Sequence, residues 1–325
     1  MQIISVKNLS KNFQTYKKEP GFLNTTKSLF FRKYETIKAV DDISFNIEES
    51  ELIGFIGPNG AGKTTTLKCL SGLLYPTSGD LNIFGYKPWE RKSDFLRNIA
   101  FVMGQKNQLW WDLPPLDTFL LNKEIYGIAD SQYKENLSQL LELLDAKDLV
   151  NTPTKKLSLG QRMKCELVAA LIHKPKILFL DEPTIGLDVV VQKNLREFIK
   201  SYNQMFKATI ILTSHYMRDV EALSKRIIII NHGTIIFDGL LSDLIKKHAP
   251  HKQVTVYLKE PVDEKKLKNI GKIKTYEFPK LIIEIPTNRI SEATGKLLET
   301  AVVSDLNIED PDIEDVIRVI FQSKS

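Results

Sequence analysis

The sequence predicts an α/β domain followed by a smaller α+β domain. Runs that are apolar at every position are typical of strands covered on both faces of a parallel sheet, and three such runs occur, at 52–56, 177–180 and 209–212. Helix-like segments precede and follow the second run, at 161–173 and 190–206, as in an alternating α/β fold. The length of 325 residues agrees with two domains at roughly 150 residues each.

The first strand leads into a glycine loop and then a helix. After 52–56 come the glycines of 57–62, and leucines then recur at helical spacing up to Leu74. The runs 226–230 and 234–237, joined at 231–233, predict a hairpin near the end of this domain.

The pattern changes at 248–251, so we expect domains 1–248 and 249–325. The second should consist of strand 254–258, helix 263–269, strands 273–278 and 281–285, helix 291–300, strand 302–308 and helix 313–322. This β-α-β-β-α-β order predicts a ferredoxin-like module with an added helix.

Composition excludes several classes. The formal net charge of +5 from 45 Lys+Arg and 40 Asp+Glu is too weak for a general nucleic-acid binder, which has a domain pI above about 9. Cys69 and Cys165 cannot form a disulfide framework, and no signal-peptide pattern begins the sequence, so we expect a reduced, cytosolic chain. No apolar run approaches the roughly 18 residues of a membrane span. We therefore expect any membrane role to come through a partner.

The strongest motif is a phosphate-binding loop. Residues 57–64 fit G-x-x-x-x-G-K-[ST], in which backbone N–H groups hold phosphate oxygens at a helix N-terminus. Lys63 should reach the β- and γ-phosphates and Thr64 should bind Mg²⁺. The predicted nucleotide-binding residues are Gly57, Pro58, Asn59, Gly60, Ala61, Gly62, Lys63, Thr64 and Thr65. A chance glycine turn is the alternative, but the flanking strand and helix oppose it.

Two further segments carry candidate chemistry. Asp181, at the end of a buried strand, suits a second Mg²⁺ contact, and Glu182 suits a general base for the attacking water. The alternative is a solvated strand end. Ser158 precedes a helix whose N-terminus could hold another anion, or it is simply an N-cap.

Together these segments resemble a known family. The segment 157–161, followed by 181–184, 186–188 and His215, resembles the nucleotide-binding domain of ABC transporters, which has a P-loop NTPase fold. The resemblance implies ATP as ligand, Mg²⁺ as cofactor and two ATPase subunits that close head to tail, as a homodimer or a paralogous heterodimer.

The resemblance also implies roles for individual residues. The signature residues Ser158, Gly160 and Gln161 would bind the ATP held by the opposite subunit, and Asp188 matches the loop that communicates across the dimer. A departure occurs at Leu159, where relatives usually have glycine, which puts the closeness of the dimer contact in question.

Three more positions match the family pattern. His215 corresponds to the switch histidine at the γ-phosphate, although a lone histidine is otherwise more often structural. Gln105 corresponds to the glutamine near Mg²⁺ and water, and Gln108 is its less favoured competitor. Phe13 corresponds to the aromatic residue that stacks on adenine, with Tyr16 as competitor and core packing as the alternative.

Two features point beyond ATP hydrolysis. The insertion 14–38 is rich in basic and aromatic residues, which suits an anionic membrane surface or a permease, or equally a solvated loop. Trp110 and Trp111 lie where the family binds the permease's coupling helix, and core packing is the competing interpretation.

Within the family, the sequence is most similar to ATPases of multidrug, viologen or daunorubicin-type exporters. The implied function is to power a permease on separate chains from the cytoplasmic face of the membrane. An importer with a regulatory C-terminal domain and a polysaccharide exporter remain alternatives, and a non-transport ABC protein is a more distant one. No residue identifies the cargo.

Overall fold

The computed structural model describes residues 2–16, 34–214 and 216–322. They form two compact units, Met1–Gly239 and Leu240–Ser325. The division falls before the expected boundary after His248, because the helix Leu241–His248 packs against the last helix of the second unit.

A six-stranded sheet forms the centre of the first unit, in the order β5-β6-β7-β3-β8-β9. Its strands are β3 (Leu52–Ile56), β5 (Ile99–Met103), β6 (Ile177–Asp181), β7 (Thr209–Thr213), β8 (Arg226–Asn231) and β9 (Thr234–Leu240). Strands β5, β6, β7, β3 and β8 run parallel to one another. The prediction of a parallel sheet from the three apolar runs is confirmed.

Both faces of this sheet are buried, which explains why its strands are apolar throughout. In β6, Leu178 and Leu180 belong to an apolar cluster on one face, whereas Ile177 and Phe179 belong to a cluster on the other. The first cluster contains side chains of α3 (Pro115–Tyr126), α4 (Asp130–Leu143), α5 (Leu159–Leu171) and α6 (Val189–Phe206). Among the residues that the structure describes, the remaining α-helices of this unit are α1 (Lys63–Leu70), α2 (Ser93–Leu96) and α7 (Met217–Leu223).

A three-stranded antiparallel sheet covers the second face. It has the order β2-β1-β4, with β1 (Gln2–Tyr16), β2 (Tyr34–Glu48) and β4 (Ser78–Ile83). The described ends of the 14–38 insertion extend the β1–β2 ladder as far as the pair Tyr16 and Tyr34. Residues 17–33 of the insertion lie outside the described part of the chain.

The second unit contains a four-stranded antiparallel sheet in the order β11-β12-β10-β13. Its elements in sequence are α8 (Leu241–His248), β10 (His251–Leu258), α9 (Glu264–Leu267), β11 (Lys272–Glu277), β12 (Lys280–Pro286), α10 (Ile290–Thr300), β13 (Val303–Glu309) and α11 (Ile313–Gln322). Since β10 pairs with both β12 and β13, the topology is that of a split β-α-β module. The ferredoxin-like prediction is confirmed.

Candidate active site

The loop between β3 and α1 has the backbone of a phosphate-binding site. Gly62 adopts φ +108°, and a Cβ there would lie 2.4 Å from the carbonyl oxygen of Ala39, so only glycine fits. A Cβ on Gly57 would lie 2.2 Å from the carbonyl oxygen of Ile230. These close approaches hold the loop between β2 and β8, directly before the N-terminus of α1.

Lys63 is buried within this loop. Its Nζ donates to the carbonyl oxygens of Gly57 at 2.7 Å and Pro58 at 3.1 Å, and the residue is 5% exposed. Burial lowers the pKa of Lys63, while the charges of Glu182 and Asp181 oppose that change. The loop carbonyls therefore hold the ammonium group at the start of α1, beside the two carboxylates.

Asp181 lies at the carboxyl end of β6 and joins three elements. The Thr64 hydroxyl donates to its Oδ1 and Oδ2 at 3.0 and 2.8 Å. The Thr213 hydroxyl, at the end of β7, donates to Oδ1 at 2.7 Å. Because β6 and β7 are parallel neighbours, their carboxyl ends meet at one edge of the sheet.

Glu182 follows in a left-handed backbone conformation, with φ +52°. Its N–H donates to the carbonyl oxygen of Thr213 at 3.1 Å and to the Thr213 hydroxyl at 3.1 Å. The Gln105 amide donates to its Oε2 at 3.1 Å. A Cβ on Gly104 would lie 2.0 Å from the Glu182 carbonyl oxygen, so this glycine allows the segment after β5 to pass close to Glu182.

These side chains surround a cavity of about 520 Å³. Of the predicted site residues, its lining contains Asn59, Gly60, Ala61, Gly62, Lys63, Thr64, Thr65, Gln105, Asp181 and Glu182. An ammonium group, a hydroxyl group and two carboxylates thus converge at the N-terminus of one helix. That arrangement can bind a polyphosphate, a divalent cation and a water molecule together.

The two glutamine candidates are separated by the structure. The Gln108 side chain donates to the carbonyl oxygen of Phe101 at 3.0 Å, whereas Gln105 reaches Glu182. The geometry favours Gln105 for a role at the cavity.

The signature residues lie apart from this cavity: in the described part of the chain, Ser158, Gly160, Gln161 and Asp188 are not among its lining residues. Ser158 forms a capping box at the start of α5, where its hydroxyl accepts from the Gln161 N–H and the Gln161 side chain accepts from the Ser158 N–H. Asp188 caps α6 by accepting from the N–H groups of Val190 and Val191, each at 3.0 Å.

Leu159 is folded back onto its own subunit. Its Cδ2 lies 3.1 Å from the position a Cβ would take on Gly186, and the side chain packs on the apolar cluster of the helical face. Ser158 remains exposed. The unusual leucine therefore points toward segment 186–188 and leaves the Ser158 hydroxyl accessible.

Of the two remaining predicted site residues, Phe13 does not line the cavity and His215 lies outside the described residues. Phe13 lies on β1 with 40% of its surface exposed, and the Lys11 Nζ lies 5.2 Å from its ring centroid, which contradicts core packing. The side chain of Tyr16, its competitor, and the whole of His215 lie outside the described residues.

Sequence reasoning missed Asp219, a fully buried residue of α7. Its carboxylate accepts from the Thr184 hydroxyl at 2.5 Å, the Ser214 hydroxyl at 3.0 Å and the Arg196 guanidinium at 2.7 Å. It therefore joins the segment after Glu182, the end of β7 and α6. No local pattern distinguishes this aspartate from an ordinary helix residue.

Trp110 and Trp111 are 59% and 51% exposed, which contradicts the core-packing alternative. Leu113 beside them is 40% exposed. An exposed group of large apolar side chains is typical of an interface. We call segment 105–113 the tryptophan segment.

Comparison with known proteins identifies the family. Residues 40–185 match the family model described as "ABC transporter". A 215-residue alignment shows 33% identity to the ABC transporter ATP-binding protein NatA of Bacillus subtilis, covering 66% of this chain and 87% of that protein. The chain belongs to the ABC transporter ATP-binding family. It is accordingly an ATPase that binds ATP, and its family typically dimerises and pairs with permease subunits.

A second relative agrees with this family assignment, and a solved structure shares the fold. The chain is 34% identical to the bacitracin transport ATP-binding protein BcrA of Bacillus licheniformis over 68% of this chain and 71% of that protein. The solved ATP-binding subunit of an ABC transporter superposes with a TM-score of 0.62 at 24% identity, covering 75% of this chain and 92% of that one.

The second unit of this ABC ATPase also has a counterpart. Residues 250–309 match the model described as "EvrA-like ABC transporter, C-terminal domain". In the described ranges, no helix combines the length and apolar character needed to cross a bilayer.

Proposed function

We propose that this ATPase powers the export of a drug-like or amphipathic compound through a permease on separate chains. The observation that carries the catalytic part is the convergence of Lys63, Thr64, Asp181, Glu182 and Gln105 around one cavity. Export is supported by the names of relatives: bacitracin transport, linearmycin resistance and doxorubicin resistance ATP-binding proteins, each 33–34% identical. An importer or a polysaccharide exporter is the alternative.

ATP binding is assigned to residues 57–65. The loop presents backbone N–H groups at the start of α1, where the helix dipole favours anions. The Lys63 ammonium, now bonded to two carbonyl oxygens of the loop, would exchange them for the more strongly charged β- and γ-phosphates.

Mg²⁺ fits the same site. Thr64 and Asp181 offer a hydroxyl and a carboxylate within hydrogen-bonding distance of each other, and these hard oxygen donors suit an ion that also binds phosphate and water. Gln105 would complete the protein's contribution. The bound ion would neutralise charge on the β- and γ-phosphates.

Glu182 is the proposed general base. Its carboxylate would accept a proton from the water that attacks the γ-phosphorus, and the Gln105 amide donates to Oε2 of the same carboxylate. Both bonds from the Glu182 N–H to Thr213 fix the backbone at that point. His215 is proposed to contact the γ-phosphate.

A second ATPase subunit would complete the site. We assign Ser158, Gly160 and Gln161 to the phosphate of the opposite subunit, Asp188 to the contact across the dimer, and Phe13 to stacking on adenine. Leu159 packs on its own subunit, so it leaves room for this approach.

Permease binding is assigned to the tryptophan segment. Exposed Trp110, Trp111 and Leu113 offer apolar area with polar edges, as interface anchors do. The chain would lie at the cytoplasmic face of the membrane, and the basic insertion 14–38 would face anionic lipid or permease. We propose that the first unit carries the ATPase and that the second unit regulates it or contributes to the dimer.

Glu182→Gln tests the catalytic proposal. The variant should bind ATP and dimerise like the wild type, but its turnover should fall by about 10²- to 10⁴-fold because the base is lost. Steady-state hydrolysis and fluorescent-ATP binding measure the two properties. Glu221→Gln, an exposed carboxylate on α7, is the matched control, and hydrolysis near wild type in Glu182→Gln would contradict the assignment.

The permease proposal has its own test. Trp110→Ala with Trp111→Ala should abolish copurification with the permease subunits that the wild-type chain retains, while ATP binding is unchanged. Tyr75→Ala, at a 65% exposed aromatic elsewhere on the unit, is the control. A binding protein encoded beside those permeases would favour import.

A further inference from the structure

Glu166 is a buried carboxylate that the ATP site does not use. It lies on α5, two turns after the signature residues, with only 3% of its side chain exposed. Burial raises its pKa to about 7, against the smaller opposing effects of the Gln108 N–H and Arg162. A carboxylate at this position costs desolvation free energy that an apolar side chain would not cost.

The contacts of Glu166 lead in two directions. Its Oε1 accepts a long hydrogen bond, 3.4 Å, from the backbone N–H of Gln108 in the tryptophan segment. The Arg162 Nε lies 3.8 Å from the same oxygen, one turn earlier on α5. The carboxylate thus joins the helix that begins at Ser158 to the segment that begins at Gln105.

Arg162 extends this connection to the surface. Its guanidinium carbon lies 5.6 Å from the ring centroid of Trp111, and its side chain is 22% exposed. A planar cation suits the face of an indole ring. A chain of contacts therefore runs from exposed Trp111 through Arg162 and Glu166 to the backbone of Gln108.

The other end of the segment is fixed at the ATP site. Gln108 is anchored by its side chain to Phe101, and Gln105, three residues earlier, donates to Glu182. A displacement of the Gln108 backbone would therefore change how Gln105 meets Glu182.

We propose that Glu166 and Arg162 are positioning residues that hold the tryptophan segment on α5, and so set the placement of Gln105 relative to the signature residues. A partner that contacts Trp111 would act on this pair first. The inference rests on the proposed function, because its effect on turnover requires Gln105 and Glu182 to act in hydrolysis.

Hydrogen exchange of the full-length chain tests the contact directly. Removal of the acceptor in Glu166→Ala should accelerate exchange of the Gln108 amide about tenfold, whereas Glu166→Gln, which keeps an acceptor, should change it less. The exchange rates of the β7 amides report global stability and should not increase in either variant. Equal acceleration in β7 and at Gln108, or none at Gln108, would overturn the proposal.

A spectroscopic titration tests the pair without a permease. With 5-fluorotryptophan incorporated, the Trp111 resonance should shift with a midpoint near pH 7 as Glu166 ionises and attracts Arg162. The midpoint should vanish in Glu166→Gln and survive in Asp112→Asn, which removes the carboxylate paired with Lys155 beside Trp111. A Trp111 signal without that midpoint in the wild type would contradict the contact chain.

Turnover separates positioning from folding. Glu166→Ala and Arg162→Met should lower kcat for ATP about tenfold with little change in KM, because misplacement affects the reacting geometry more than ATP binding. Lys164→Met, a neighbouring cation on α5 that bonds to Asp145, should leave both unchanged. Wild-type kcat in both variants would overturn the proposal, whereas an active Glu182→Gln would instead overturn the proposed function.

Discussion

Two buried carboxylates in this ATPase differ in how closely they are paired. Asp219, beside the end of β7, accepts from Arg196, Thr184 and Ser214 at 2.5 to 3.0 Å. Glu166, on α5, has Gln108 N at 3.4 Å and Arg162 at 3.8 Å. A buried charge is tolerated when it is fully paired and is costly when it is not. The end of the sheet beside the ATP site is thus held by three close contacts, whereas the contact between α5 and the tryptophan segment depends on two longer ones.

The difference follows from where the partners come from. Asp219 is reached by side chains of three separate segments, so losing one partner would leave two in place. Glu166 depends on one backbone N–H and on a cation of its own helix. The transmission proposed for the tryptophan segment would benefit from the second arrangement, because few contacts have to change there.

The largest expected effect is at the fully paired carboxylate. Asp219→Ala should lower the free energy of unfolding by about 3 to 5 kcal/mol, because it leaves the Arg196 guanidinium, whose side chain is only 16% exposed, without its counter-ion and the buried Thr184 and Ser214 hydroxyls without their acceptor. Urea unfolding measures it. Glu221→Ala on the same helix is exposed and should cost less than about 0.5 kcal/mol. Equal losses of unfolding free energy in the two variants would contradict the conclusion that Asp219 is a closely paired carboxylate.

At Glu166 the expected effect depends on pH. The folded pKa of about 7 lies above the ordinary value of 4.5, so the folded state holds the proton more tightly than the unfolded chain. Stability should therefore fall as the pH rises from about 4.5 to about 7, by up to about 3 kcal/mol from this group alone.

Glu166→Gln isolates that contribution. It removes the ionisable group but keeps the shape, so its unfolding free energy should decline less than that of the wild type between pH 5 and pH 8. The difference between the two proteins, measured in urea at each pH, should favour the variant at the higher pH. Parallel pH profiles for both proteins would show that Glu166 is as well paired as Asp219.

How much of this was predictable depends on whether a residue acts through a local pattern. Ile177 to Leu180 alternate between two apolar clusters, so an uninterrupted apolar run predicted a strand covered on both faces. Asp181 and Glu182 follow that run directly, and the glycine loop has a fixed spacing. These features needed only neighbouring residues.

The residues that were missed act over long separations. Thr213 bonds to Asp181 32 positions away, and Glu166 meets Gln108 58 positions away. No spacing encodes such pairs, because the sheet order and the path of the tryptophan segment bring them together. The direction of the Leu159 side chain and the place of α8 in the second unit were likewise determined by packing.

Two buried threonines of β7, Thr209 and Thr213, allow an effect on stability to be distinguished from an effect on ATP hydrolysis. Thr213→Val removes the hydroxyl that bonds to Asp181 and Glu182, and Thr209→Val removes the acceptor for the Ser50 N–H. Each should cost about 1 to 2 kcal/mol of unfolding free energy. Of the two, only Thr213→Val should also lower ATP turnover, because the Thr213 hydroxyl bonds to the Asp181 carboxylate and to the Glu182 backbone N–H. Equal turnover in the two variants would contradict that distinction.

The smallest effect should be the coupling of Arg162 to Trp111, and it decides whether the adjustable contact extends to the surface. Arg162→Met, Trp111→Leu and the double variant form a cycle whose coupling free energy should be about 0.5 kcal/mol, the low end of the range for a cation over an indole ring. In the Glu166→Gln background the coupling should change, because no carboxylate then attracts the guanidinium. The same cycle at Lys87 and Trp89, with the cation 5.9 Å from the ring, should not respond to Glu166. If the coupling free energy between Arg162 and Trp111 is the same with and without Glu166→Gln, the contact chain from Glu166 does not reach Trp111. The effect of Glu166 would then be limited to the buried contact with Gln108.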